Sequence, residues 1–298
     1  MSNIIQYKNR MAFHPGYYIK EIIDDSGLTQ EDFAKKLNTT PKNISILIHG
    51  DQSLSLDIAG KLSRMLGTSV EYWLNLQKTY DTFVAEMQYD LEMEKEKEIF
   101  KYLDYKYFTK YFDLPTLPKQ TEAQIKTLRE FLKIASLSVL ANKNLSVNFS
   151  SKNQANEIAS IVCANAILQL GINKTIENSS AKYNKEKFKK VVEEVKEKSS
   201  GKGTELSAIE EAFNSAGVVL LALPGMPGAK IKGATKKVGS NIMLLINGQK
   251  RNREEFWFTV FHEVGHILNG DLGAEIEKES DSEKQADKYA EEALARFL

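Results

Sequence analysis

His262, Glu263 and His266 stand in the run HEVGH, inside the apolar and aromatic segment Phe256 to Leu268. On a helix, residues four apart share a face, so both imidazoles can reach one ion. Zinc accepts neutral imidazole nitrogens and in catalytic sites keeps one position open to water. The intervening carboxylate, Glu263, is then placed to take a proton from that water. The chain of 298 residues has four histidines, and two of them are here.

Such a site needs a third protein ligand from outside the motif. A histidine at the metzincin spacing is absent, because Leu272 stands there. The candidates are carboxylates of the tail, among Glu275, Glu277, Glu279, Asp281 and Glu283, whose other reading is solubilising charge. Glu283 is the preferred one. Asp287, one turn later, suits the role of holding a ligand histidine in one tautomer. Phe256, Trp257, Phe258 and Phe261 give the helix the apolar flanks a buried site requires, and Gly265 permits close backbone approach.

The elements around this helix follow from periodicity. Residues 201–298 read as a small α+β domain. It has a helix over 207–216, strands over 218–223, 230–234 and 241–247, the HEVGH helix closed by Asn269-Gly270, and a final helix over 280–298. Residues 81–200 read as a helical connecting or dimerisation region. In it, EMEKEKEIFKYLDYKYFTKYF forms one helix with Tyr102, Tyr105, Phe108 and Phe112 on one stripe, followed by helices over 122–140, 154–170 and 185–198.

Residues 1–80 read as five short helices: 18–23, 30–37, 41–48, 56–66 and 70–80. Thr29 is an N-cap, Pro41 opens a helix, and Gly27, Gly50 and Gly67 close others. Two of these helices joined by Asn38-Thr39-Thr40 follow the helix-turn-helix plan. Ala34 supplies the small residue on the first helix, and Ile44 and Leu47 face inward from the second. Thr40, Lys42, Asn43, Ser45 and Ile46 are left for outward contact with DNA, aided by Lys35 and Lys36. This segment carries nine Lys+Arg against eight Asp+Glu, so DNA affinity leans on those lysines and on dimerisation.

Lys+Arg and Asp+Glu are both 40 over the whole chain. No apolar run approaches the ~20 residues that span a membrane, and no signal peptide is evident. The single cysteine, Cys163, excludes an intrachain disulfide and fits a cytoplasmic protein. It falls in a helical apolar pattern and reads as a buried structural thiol.

Two family resemblances rest on these residues. HPGYYIKEIIDDSGLTQEDFAKKLNTTPKNISILIHG and the later YWLNLQ resemble HigA-type antitoxins of the XRE helix-turn-helix family. That resemblance implies a five-helix, lambda-repressor-like domain in a homodimer on a palindromic operator, and a RelE- or HigB-like toxin as partner. GAKIKGATKKVGSNIMLLINGQKRNREEFWFTVFHEVGHILNGD and EKQADKYAEEAL resemble the ImmA/IrrE family of minimal zinc peptidases. It implies a minimal zincin-like fold with His262, His266 and Glu283 as ligands to zinc or manganese. It also implies Glu263 as general base, in a gluzincin-like metalloendopeptidase that cleaves itself or a helix-turn-helix repressor. In zincins generally, substrate adds as a strand at a sheet edge near the metal helix, and residues 241–246 are the nominated edge. The other reading of the C-terminal domain is a metal-binding or sensor module without turnover.

Overall fold

The computed structural model describes residues 3–142, 154–198, 206–248, 253–270 and 281–297, and the chain falls into two compact units, Met1–Glu94 and Lys95–Leu298. It is mainly helical with two small sheets.

The first unit opens with an antiparallel hairpin, β1 (Ile4–Tyr7) and β2 (Arg10–Phe13), turned at Lys8 in the left-handed region with φ 52°. Sequence patterning does not anticipate this hairpin, because four-residue strands are too short to display a period. Four helices follow: α1 (Pro15–Ser26), α2 (Gln30–Lys36), α3 (Pro41–Ile48) and α4 (Leu56–Leu66). Each start has a local cause. His14, Thr29, Thr40 and Ser55 accept backbone N–H groups at the four N-termini. Their apolar faces meet in one core of Ile19, Phe33, Ala34, Leu37, Ile44, Leu47, Leu62 and Trp73.

The next helix, α5 (Val70–Phe100), does not stop at Tyr80 as expected but runs for 31 residues. No glycine or proline interrupts 70–100, and a charged surface pattern does not end a helix. The aromatic segment is not one helix either. Asp104 caps a separate α6 (Tyr105–Tyr111), so Phe108 is fully buried while Tyr102 lies outside that helix and is exposed. Likewise 122–140 divides into α7 (Thr121–Leu132), closed by Lys133 at φ 54°, and a 3-10 turn over Leu137–Ala141. Glu96, fully buried on α5, ties these pieces together by accepting from Arg129 at 3.2 Å and from the Leu137 N–H at 2.6 Å.

The rest of the second unit is a sheet between helices. It comprises α8 (Gln154–Asn178), α9 (Lys185–Lys198), α10 (Leu206–Ser215), β3 (Val218–Leu223), β4 (Gly233–Val238), β5 (Asn241–Asn247), α11 (Arg253–Asn269) and α12 (Asp281–Phe297). Strand order is β3-β5-β4, with β5 parallel to β3 and antiparallel to β4. β5 is buried at every residue, as a central strand covered on both faces must be. Ile242, Leu244 and Ile246 join the core shared with α9 to α12, whereas Met243 and Leu245 meet α8 at Gly171. A Cβ at Gly171 would sit 2.7 Å from the Met243 sulfur, so glycine lets α8 lie flat on the sheet. β4 begins at Gly233 rather than Lys230.

This strand order corrects the expectation that residues 241–246 form the accessible edge. β5 is hydrogen-bonded on both sides, and among the described strands the one beside α11 with an unpaired side is β4. No helix among the described residues is long and apolar enough to cross a membrane.

Candidate metal centre and nucleic-acid interface

α11 packs Trp257, Val260, Phe261, Val264 and Ile267 into the core, which turns His262 and His266 to the helix's other side, toward α12. Gly265 sets how near α12 can come. A Cβ there would meet the Ala286 Cα at 3.1 Å and the Tyr289 Cβ at 3.5 Å. That close approach carries Glu283 to the histidines, although 16 residues separate it from His266.

The three donors converge. The Nε2 atoms of His262 and His266 face each other at 3.1 Å, and Glu283 oxygens stand 3.3 Å from the first and 3.4 Å from the second. Among the described residues this is the cluster of three or more metal-capable side chains. A tetrahedral ion with ~2.1 Å bonds holds its donors about 3.4 Å apart, so the spacings and the nitrogen–nitrogen–oxygen donor set fit zinc. On the far side of the ring, His262 Nδ1 donates to Asp287 Oδ1 at 2.8 Å, which presents the Nε2 lone pair to the shared point. Ser282 Oγ lies 3.4 Å from His266 Nδ1, a neighbour that sequence reasoning did not single out.

Glu263 lies on α11 between the two histidines and is buried against β4. A Cβ at Gly233 would fall 2.5 Å from its Oε1, so only glycine leaves room for the carboxylate there. Burial, and then the charge of Glu283, raise its carboxyl to about 8, while the Thr235 hydroxyl acts in the opposite direction. A divalent cation beside it favours the ionised form. Neither Gly233 nor Thr235 was foreseen; a glycine opening a strand was the one available signal.

In the first unit, Thr29 and Asp32 form a reciprocal cap on α2, with Thr29 Oγ1 accepting the Asp32 N–H at 3.1 Å and donating to its carboxylate at 2.7 Å. Asn38 turns the chain at φ 49°, and Thr40 caps α3 by accepting the Asn43 N–H at 3.2 Å. Ala34, Ile44 and Leu47 are buried as expected. Thr40, Lys35, Lys36 and Lys42 are exposed, and Asn43, Ser45 and Ile46 are half-buried. Lys35 is paired with Glu31 at 2.9 Å, so its charge is partly answered within α2. Asn43 donates to Thr39 Oγ1 at 3.0 Å and accepts from Gln52 Nε2.

Comparison with known proteins bears on this first unit. The helix-turn-helix model HTH_3 matches residues 19–73. The HTH-type transcriptional regulator YddM of Escherichia coli K12 is 34% identical over 84 residues, which is 28% of this chain and 89% of that protein. The chain belongs to the XRE-type helix-turn-helix regulators. Within that family, antitoxin HigA-1 of Vibrio cholerae is 30% identical over 84 residues, 28% of this chain and 79% of the antitoxin. Two solved structures are also similar. A HigA-family addiction-module antidote protein from Coxiella burnetii is 30% identical and covers 28% of this chain and 91% of its own, at a TM-score of 0.26. PA4674 of Pseudomonas aeruginosa, solved with its operator DNA, is 24% identical and covers 24% of this chain and 81% of its own, at 0.24.

His14-Pro15-Gly16 has a packing role. His14 Nδ1 accepts the Gly16 N–H at 3.0 Å, Pro15 occupies the first helical turn, and a Cβ at Gly16 would lie 1.9 Å from the Leu47 carbonyl oxygen. These three residues therefore seat α1 against the end of α3.

Proposed function

We propose that this DNA-binding regulator of antitoxin type carries a metal-dependent peptidase centre in its second unit, acting on itself or on a partner regulatory protein. The observation that carries the peptidase reading is the convergence of His262, His266 and Glu283 with a buried carboxylate, Glu263, between the two histidines. A site that only held an ion would gain nothing from a buried carboxylate in that place, whose burial costs free energy.

His262, His266 and Glu283 would hold zinc or manganese, which would supply Lewis acidity at the site. Glu263 would take a proton from an attacking water and return it to the departing amine. Asp287 keeps His262 in the tautomer whose Nε2 is free to bind. Substrate lies as an added strand along β4, residues 233–238, whose outer side is unpaired among the described strands. Incubation of the purified protein with zinc or manganese, beside Glu263→Gln, tests the reading. Cleavage of the chain or of a co-encoded repressor falls by about 10²–10⁴-fold in the variant while metal content stays the same. Cleavage independent of Glu263 overturns it.

The DNA reading rests on the family and on the exposed N-terminal end of α3 with Thr40 and Lys42. A homodimer places two α3 helices in successive major grooves of a palindromic operator, roughly 34 Å apart. Lys35, Lys36 and Lys42 neutralise phosphates, and Asn43, Ser45 and Ile46 face the bases. A RelE- or HigB-like toxin is the proposed protein partner. Mobility shift on the chain's own promoter tests this. Lys42→Ala lowers affinity for all duplexes and reduces the salt slope by about one.

A further inference from the structure

Asn43 was expected to face outward to DNA, yet both ends of its amide are held within the domain. Its Nδ2 donates to Thr39 Oγ1 at 3.0 Å, and its Oδ1 accepts from Gln52 Nε2. Thr39 belongs to the turn before α3, and Gln52 to the segment after it. The three side chains form a bridge across the N-terminal half of the helix, and each is half-buried.

An Asn side chain offers two N–H donors and an oxygen with two acceptor sites. The bridge uses one donor and one acceptor. One N–H and one acceptor site remain, which is the set a bidentate contact with adenine N7 and N6 requires. The bridge also restrains rotation of the amide, which Thr39 Oγ1 holds on one side and Gln52 Nε2 on the other. The side-chain entropy lost on binding DNA is therefore already lost in the free protein.

We propose that Gln52 and Thr39 are positioning residues that lock the Asn43 amide for bidentate recognition of one adenine per half-site in the major groove. This rests on the DNA reading above, and its failure is separable from that one. Neither residue need touch DNA. Gln52 is the principal member, because it reaches Asn43 from beyond the end of α3.

Wild type, Asn43→Ala, Gln52→Met and Thr39→Val are compared on two duplexes. One is the consensus recovered by wild type from a randomised 30-base-pair pool, and the other is an unrelated duplex of equal length. Each adenine of the consensus is then replaced singly by 7-deazaadenine, which lacks N7. One position per half-site is expected to cost wild type about ten-fold in affinity and to cost Asn43→Ala nothing. Gln52→Met and Thr39→Val each lose several-fold on the consensus, keep wild-type affinity for the unrelated duplex, melt as wild type does, and show a smaller 7-deazaadenine penalty. A purely structural bridge instead lowers melting temperature and weakens both duplexes alike, which overturns the proposal. So does full discrimination by both bridge variants, or a consensus without an adenine whose N7 matters to Asn43. Failure of wild type to bind any duplex overturns the DNA reading itself.

Discussion

The helix-turn-helix and the candidate metal centre are both built around a short helix segment with polar residues at fixed spacing, yet they are assembled differently. In the first unit the positioning groups are near neighbours in sequence. Thr29 caps with Asp32, Thr40 caps with Asn43, and His14 bonds Gly16. In the second unit the groups come from three elements. α11 supplies His262, Glu263 and His266, α12 supplies Glu283 and Asp287, and β4 supplies the space at Gly233. A site built from distant elements depends on each packing distance, and a bound ion would stitch two of those elements together.

The largest contrast lies between two glycines. Gly16→Ala places a methyl 1.9 Å from the Leu47 carbonyl oxygen. That backbone atom cannot move aside, so about 3 kcal/mol of stability is expected to be lost from the first unit. Thermal or denaturant melting followed at Trp73 checks it; an unchanged midpoint would show that α1 does not depend on this contact.

Removing metal is the next test. With zinc at 100-fold its dissociation constant, chelation is expected to lower the stability of the second unit by about 2.7 kcal/mol and leave the first unit's transition in place. Equal loss in both transitions would break the distinction between local and assembled sites.

Gly265→Ala should separate packing from affinity. The new methyl meets Ala286 at 3.1 to 3.4 Å, and the crowding is offset by the ~1 kcal/mol that alanine gains over glycine inside a helix. Melting therefore stays close to wild type, while displacement of Glu283 weakens zinc binding about ten-fold in a competition titration. Unaltered zinc affinity would mean that the distance between α11 and α12 does not govern the site.

The smallest effect is expected at His14. Burial is the first cause that lowers its pKa from 6.5, ahead of the opposing charge of Asp81. A base with a lowered folded pKa takes up its proton more readily in the unfolded chain. Its contribution to stability is intact above about pH 6.5 and is lost as the pH falls below that toward the folded value. A protonated Nδ1 also cannot accept the Gly16 N–H. His14→Asn keeps an acceptor that does not titrate. Its melting temperature should therefore change less than wild type between pH 7.5 and 5.0.

Much of the first unit was legible before its structure. Caps, glycine stops and the burial of Ala34, Ile44 and Leu47 are all consequences of residues within a few positions of one another. HEVGH on a helix was equally legible, since i, i+4 spacing alone puts His262 and His266 on one side. The hairpin at Ile4–Phe13, the uninterrupted α5 and the split of the aromatic segment at Asp104 were not. Strands of four residues show no period, and a helix-compatible stretch does not announce where tertiary contacts bend the chain.

By itself the sequence determined which residues could do chemistry. It placed two histidines around a glutamate, a later acidic helix able to add a ligand, and a capped pair of helices with Lys42 and Asn43 on the second. Tertiary structure alone decided how they are used. β5, nominated as the accessible edge, lies in the centre, paired with β3 on one side and β4 on the other. β4 is left as the edge beside the metal helix, and its Gly233 makes the space that holds Glu263. Asn43 is locked by Thr39 and Gln52. Strand order and side-chain partnership depend on residues far apart in the chain, and local periodicity carries no record of them.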